Sequence, residues 1–161
     1  MATIRTMQGT DEASVCAQMM AKSEPWKTLG RDYEASLSTI TDPTKEVYVA
    51  LLNGEIAGFV VINMWGAFIG YVQSVCVAPE QRGKGIGSEL LGYAEQRILK
   101  ETPNVFMCVS SFNPDALRLY ERLGYAVIGE LQDYIVSGHS EILLRKTVGP
   151  LLEFTPGKSA E

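Results

Sequence analysis

The sequence predicts an α/β fold: a mixed sheet with helices on both faces, spanning residues 1–148 and followed by a C-terminal tail over 149–161. Three observations carry this. The chain has 161 residues, the size of one domain with a sizeable core. Runs rich in Val, Ile, Phe and Tyr alternate with stretches of helical spacing in the order β-α-α-β-β-β-α-β-α-β-β, a pattern that layers helices on both sides of a sheet. Turn signals such as Asn53-Gly54, Ala78-Pro79 and Gly124 punctuate those runs.

Taken in order, "ATIRTM" reads as a short strand. "TDEASVCAQMMAKS" follows as a helix with Thr10 as its cap and an acidic first turn. After the irregular "EPWKTLG", a second helix is expected from about Arg31 to Ile40. "VYVALL" and "IAGFVVIN" flank Asn53-Gly54, the strongest short hairpin signal. "FIGYVQSVCV" is the next strand, ending at Ala78-Pro79. The following helix places Ile86, Leu90, Leu91, Ala94 and Ile98 on one face. "VFMCVSS" is a strand; "NPDALRLYERLG" is a helix with Asn113 as cap, Pro114 in its first turn and Gly124 as stop. "YAVIGEL" and "SEILLRKTV" close the sheet, and the tail beyond Gly149-Pro150 has no periodicity.

Composition narrows the function classes. A net charge of −5 argues against bulk nucleic-acid binding. The segment Ile56 to Pro79 carries no charge, but glycines, Asn63, Gln73 and Ser74 interrupt it, so it reads as buried strands and no membrane partner is expected. Cys16, Cys76 and Cys108 lie far apart, which fits buried small hydrophobes in a reducing, cytoplasmic setting. His139 is the only histidine, so a multi-histidine metal site is excluded and no metal is expected.

The stretch "PEQRGKGIGSELL" places Gly83, Gly85 and Gly87 between a strand and a helix. A helix N-terminus with exposed N–H groups and a partial positive charge suits phosphate. Arg82 and Lys84 add charge for peripheral phosphates. A Walker loop needs Lys-Ser/Thr after its last glycine, and here Ser88-Glu89 follows Gly87; a dinucleotide fingerprint needs glycine at 88. Taken alone, the loop also fits a glycine-rich surface turn.

A second constellation adds to it. "SSFNPDALRLYERLGY" resembles the second signature of the GNAT superfamily of N-acetyltransferases, Asn, then Ala, then Leu-Tyr-Glu-x-x-Gly-Phe/Tyr. "VCVAPEQRGKGIGSELL" resembles that superfamily's acetyl-coenzyme A motif, with Arg82, Gly85 and Gly87 at its defining places. The resemblance covers Ile4 to Thr147, and "PWKTL" and "DYIVSGHSEILLRK" resemble stretches of ribosomal-protein alanine and other N-terminal acetyltransferases. It implies acetyl-CoA as cosubstrate, with Val75, Cys76 and Val77 lining the pantetheine arm through backbone groups. It implies that the amides of Gly83, Lys84, Gly85, Ile86, Gly87 and Ser88 hold the pyrophosphate, that Asn113 hydrogen-bonds the cofactor, and that the Val77 N–H faces the oxyanion. The plain reading of Asn113 is a helix cap, and both roles can hold together.

Direct transfer to an amine needs an unprotonated nucleophile and a proton for the departing thiolate. At pH 7 roughly one α-amine in ten is neutral, against far fewer lysines. The resemblance makes Tyr120, two helical turns beyond Asn113, the thiolate's proton donor; packing beside Leu117 and Leu123 is the alternative. In some family members a glutamate stands five residues before the motif asparagine, and here that place is Cys108. Glu24, in the loop between the first two helices, is the expected base, ahead of His139. Trp26 and Tyr134 are expected to wall the acceptor site, although a Tyr-Tyr pair of the ribosomal-protein enzymes is reduced here to Tyr134 after Asp133. The expected acceptor is a primary amine, a protein N-terminus first and a small amine second. A catalytically silent coenzyme A sensor is the rival, and a homodimer is left open.

Overall fold

The computed structural model describes residues 1–157. Its elements are β1 (Thr3–Thr6), α1 (Gly9–Ala21), α2 (Tyr33–Ile40), β2 (Lys45–Leu52), β3 (Glu55–Asn63), β4 (Tyr71–Val77), α3 (Ile86–Ile98), β5 (Asn104–Ser110), α4 (Pro114–Arg122), β6 (Ala126–Leu131) and β7 (Glu141–Thr147), in the expected order. The strands form one sheet ordered β1-β2-β3-β4-β5-β7-β6. Every neighbouring pair is antiparallel except β4 with β5.

The two faces bury separate cores. Ala13, Cys16, Ala17 and Met20 of α1 and Ile40 of α2 pack on Val47, Val49, Phe59, Val61 and Cys76 of the sheet. On the other face Ile86, Leu90, Leu91, Ala94 and Ile98, the predicted stripe of α3, pack on Val60, Ile62, Val72, Val105 and Met107. Each Val, Leu, Ile, Phe or Met side chain among these contributes about 1.5–3 kcal/mol on leaving water.

Local signals mostly act as read. Asn53 and Gly54 both have positive φ, 51° and 84°, the backbone a two-residue hairpin turn requires. Two helix starts differ. The α1 helix begins at Gly9 with Gln8 as cap in place of Thr10, and the Glu12 carboxylate accepts the Gln8 N–H at 2.6 Å. The α2 helix begins at Tyr33 because the Asp32 side chain accepts the Ala35 N–H at 2.9 Å. Beyond β7 the chain makes a short 3-10 turn at Leu151–Glu153 and lies beside Gln96 of α3 and Leu99 and Lys100 just after it. The last part of the expected tail, 158–161, lies outside the described residues.

One irregularity positions the site. Val61 of β3 pairs with Ser74 and Ile62 with Val72, so Gln73 is an extra residue that bulges β4. The parallel β4–β5 ladder holds Tyr71 to Phe106 and Val72 to Met107, and goes no further. Beyond the bulge the two strands diverge, and a gap opens in the middle of the sheet.

Candidate active site

A cleft of about 530 Å³ fills that gap. Its walls include Gln73, Ser74, Val75 and Val77 of β4, Cys108, Val109 and Ser110 of β5, Asn113 at the cap of α4, and Ala116 and Tyr120 along that helix. The edge of β4 facing β5 carries backbone groups without ladder partners, and an extended chain with amide groups can add to such an edge as a strand would.

At one mouth lies the glycine loop. Gly83 and Gly85 take positive φ, 74° and 86°, and Gly85 is the left-handed cap of α3. This conformation points successive N–H groups outward, and no amide from 83 to 88 has a hydrogen-bond acceptor among the described residues. Six donors at the positive end of a helix form an anion cradle. The Ile86 side chain is buried in the core while its amide stays free. Lys84 sits outside, its Nζ donating to Gln81 Oε1 at 2.9 Å. These groups fit the diphosphate and pantetheine of coenzyme A.

The other predicted residues divide by side chain. Val75, Val77, Gly87, Asn113, Tyr120, Glu24, Trp26, Arg82 and Tyr134 line the cleft. Asn113 caps α4 by accepting the Ala116 N–H at 3.3 Å, which leaves its amide nitrogen free to donate. Among the described residues no hydrogen bond to another side chain engages the Tyr120 hydroxyl, and burial pushes its pKa up, so the phenol stays protonated at neutral pH. Cys76 turns its thiol away, into the α1 core toward Ser23, and its pKa rises to about 11 by burial; only its backbone can serve a ligand.

Arg82 differs from expectation in direction. Its Nε donates to the Val77 carbonyl at 3.2 Å and its Nη2 to Ser23 Oγ at 3.3 Å, so the guanidinium folds toward the end of α1 instead of the outer face of the loop. Glu24 is exposed, and Thr28 donates to it twice, by Oγ1 at 2.7 Å and by N–H at 3.2 Å; these bonds hold its carboxyl below the usual range and make it a weaker base. His139 packs edge-on against Phe112 and is not part of the cleft wall.

Two charged residues escaped the sequence reading. Arg31, just before α2, lines the cleft and donates to Thr39 Oγ1 at 2.9 Å. Glu141, at the start of β7, is 5% exposed and also lines the cleft. Neither stands in a motif, and only the strand pairing brings Glu141 beside Ser110.

Comparisons with known proteins agree with this geometry. The chain is 30% identical over 126 residues to an aminoalkylphosphonate N-acetyltransferase of Salmonella typhimurium, covering 74% of this chain and 80% of that protein. It is 30% identical over 137 residues to an S-(2-succino)cysteine N-acetyltransferase of Bacillus subtilis, covering 76% and 82%. In fold it matches the ribosomal-protein-S18-alanine N-acetyltransferase of Escherichia coli at a TM-score of 0.75, with 18% identity over 96% of this chain and 99% of that one. It also matches an aminoglycoside 6'-N-acetyltransferase in complex with coenzyme A, at a TM-score of 0.74 and 15% identity over 92% and 98%. Residues 12–125 match the model of the acetyltransferase (GNAT) family; the chain belongs to that family and is an acetyl-CoA-dependent N-acetyltransferase.

Proposed function

We propose that the chain moves the acetyl group of acetyl-CoA directly onto the primary amine of a small molecule that also bears an acid group. The observation that carries the acceptor class is the pair Arg31 and Arg82, two guanidiniums on the wall of the acceptor cleft that form no ion pair among the described residues. A carboxylate or phosphonate is the partner such groups lack, and Arg binds either through two parallel N–H donors. The two relatives named for aminoalkylphosphonates and for S-(2-succino)cysteine support the same class.

Within this reading the loop amides hold the diphosphate and the free edge of β4 extends the thioester arm toward the bulge. Asn113 donates to that arm, and Tyr120 gives its proton to the sulfur as the carbon–sulfur bond breaks. Free amides of β4 stabilise charge developing on the carbonyl oxygen. A coenzyme A sensor has no use for a free phenol at this place, so Tyr120 weighs against the silent rival.

A second acceptor, the N-terminus of a protein, is supported by Trp26 and Tyr134, which face the cleft from the loop before α2 and from the β6–β7 loop. Thiol release from acetyl-CoA separates the two. Aminoalkylphosphonates and amino diacids should react faster than the same amines without the acid and faster than N-terminal peptides; peptides reacting first would select the second acceptor. Arg31→Ala is expected to raise KM for the acidic amine about ten- to hundredfold, since a charge-assisted hydrogen bond is worth about 1.5–3 kcal/mol, with kcat little changed. Unchanged KM would remove Arg31 from acceptor binding.

A further inference from the structure

The cleft holds a buried carboxylate without a counter-charge. Glu141 stands opposite Ser110 at the end of β5 and Leu131 at the end of β6. Residues directly opposite in an antiparallel ladder share a face, so Glu141 projects on the side of Ser110 and, two places back along β5, Cys108. Ser110 Oγ donates to its Oε1 at 2.6 Å. No described residue donates to its Oε2, and no described Arg, Lys or His pairs with it.

The groups next to it are Tyr71 from β4 and Cys108 and Ser110 from β5, none of them cationic; Tyr134 of the β6–β7 loop, Arg31 and Arg82 line the same cleft, and neither guanidinium forms an ion pair with it. His139, two residues earlier, is engaged with Phe112. Burial pushes the Glu141 carboxyl up, and the Ser110 hydrogen bond offsets this only in part. In turn Glu141 adds to the upward push that burial exerts on Tyr71 and Cys108. An ionised carboxylate taken from water without a partner is costly, and a cation entering the cleft removes that cost. For an amine acetyltransferase the entering cation is the acceptor's own ammonium.

We infer that Glu141 receives the ammonium group of the acceptor and takes its proton, making it the general base of the transfer. This rests on the acetyltransferase reading above and deepens it. Glu24 is the poorer candidate, because exposure and two donors from Thr28 stabilise its ionised form. The protons balance. Of the three on the ammonium, one stays on the amide nitrogen, one ends on the thiol sulfur by way of Tyr120, and one leaves through Glu141 to solvent. The nitrogen–carbon bond forms as the carbon–sulfur bond breaks, and nothing is oxidised or reduced.

The upward shift places the proton acceptor nearer working pH than an ordinary carboxylate, which is what a general base requires. It also fixes a stability signature. The folded protein binds the Glu141 proton more tightly than the unfolded chain, so this residue lowers stability as pH rises through its folded pKa.

The test compares Glu141→Gln, Glu141→Asp and Glu24→Gln with wild type by thiol release across pH, by calorimetric titration with coenzyme A and by melting temperature. Glu141→Gln is expected to lower kcat/KM at neutral pH about 10²-fold, with the loss shrinking toward the amine's own pKa. Coenzyme A affinity should hold, Glu141→Asp should recover part of the rate, and Glu24→Gln should lose far less than Glu141→Gln. Glu141→Gln should melt above wild type at mildly alkaline pH and alike in acid below about pH 4. A profile that matches wild type, or an equal loss at every pH with a lower melting temperature, would overturn the base and leave the transferase reading standing. Wild type that releases no thiol with any amine would overturn that reading, and the base with it.

Discussion

Tyr120→Phe is expected to lower kcat by about 10²–10⁴-fold while leaving coenzyme A affinity nearly intact. The ring packs with the α3-side core and meets Tyr125 at 6.3 Å between centroids; phenylalanine keeps that packing, so stability should hardly change. What is lost is one hydroxyl on the cleft wall that donates to no other side chain among the described residues. Because burial raises its pKa above the ordinary phenol value of about 10, the acid form persists through the alkaline range in which amines become neutral. The wild-type rate should therefore show no fall from Tyr120 ionisation between neutral pH and about pH 9. Rapid-quench measurement of the chemical step, with calorimetry for the cofactor, checks the separation. An unchanged chemical step would leave Tyr120 a packing residue.

Gly85→Asp should cost coenzyme A binding about a hundredfold or more. A carboxylate placed about 5 Å from the diphosphate repels each unit charge by roughly 3 kcal/mol at an effective dielectric constant of about 20. The fold should survive, since Gly85 meets nothing within 4 Å where a Cβ would stand, and an acidic residue at a helix start gains from the dipole. The left-handed φ of 86° adds a modest strain that aspartate tolerates better than most residues. Gly85→Asn carries the same strain without the charge and isolates the electrostatic part. Equal affinity for wild type and Gly85→Asp in calorimetric titration would free the loop of its phosphate.

Much of this architecture is legible in the sequence because its signals are local. Asn53-Gly54 specifies a turn through φ, and the α3 stripe specifies its buried face. The glycine loop and the Asn113 to Tyr120 segment are each contiguous, so spacing alone brings their atoms together. Charge direction is less legible. Arg82 sits in the loop as its motif requires, yet the buried Ser23 hydroxyl, 59 residues away, draws its guanidinium to the other side. Glu141 was hidden for a related reason. In "SEILLRK" it reads as the outward member of an alternating strand, beside the half-buried Leu143 and Arg145. Only the register of β7 against β5, joining positions 31 apart, turns that outward face into the wall of a cleft. The carboxylate absent at Cys108 on one strand is found on the next.

The divergence of β4 from β5 also has a mechanical meaning. Among the described residues, the rungs at Tyr71–Phe106 and Val72–Met107 are the strand pairing that joins the half-sheet β1 to β4 to the half-sheet β5, β7 and β6, and α3 packs across both halves. Two bodies hinged along such a seam can breathe against each other, and the seam is where backbone amides exchange with solvent most readily. A cosubstrate lying in the gap acts as the missing strand and couples the halves into one cooperative unit. At a ligand concentration a hundred times its Kd, the folded state gains about 2.7 kcal/mol. That gain should register as slowed hydrogen exchange along residues 73–77 and 108–110 of the two strands. The enzyme is therefore stiffest when it is loaded and loosest between turnovers, which lets product leave through the opening that admitted the substrate.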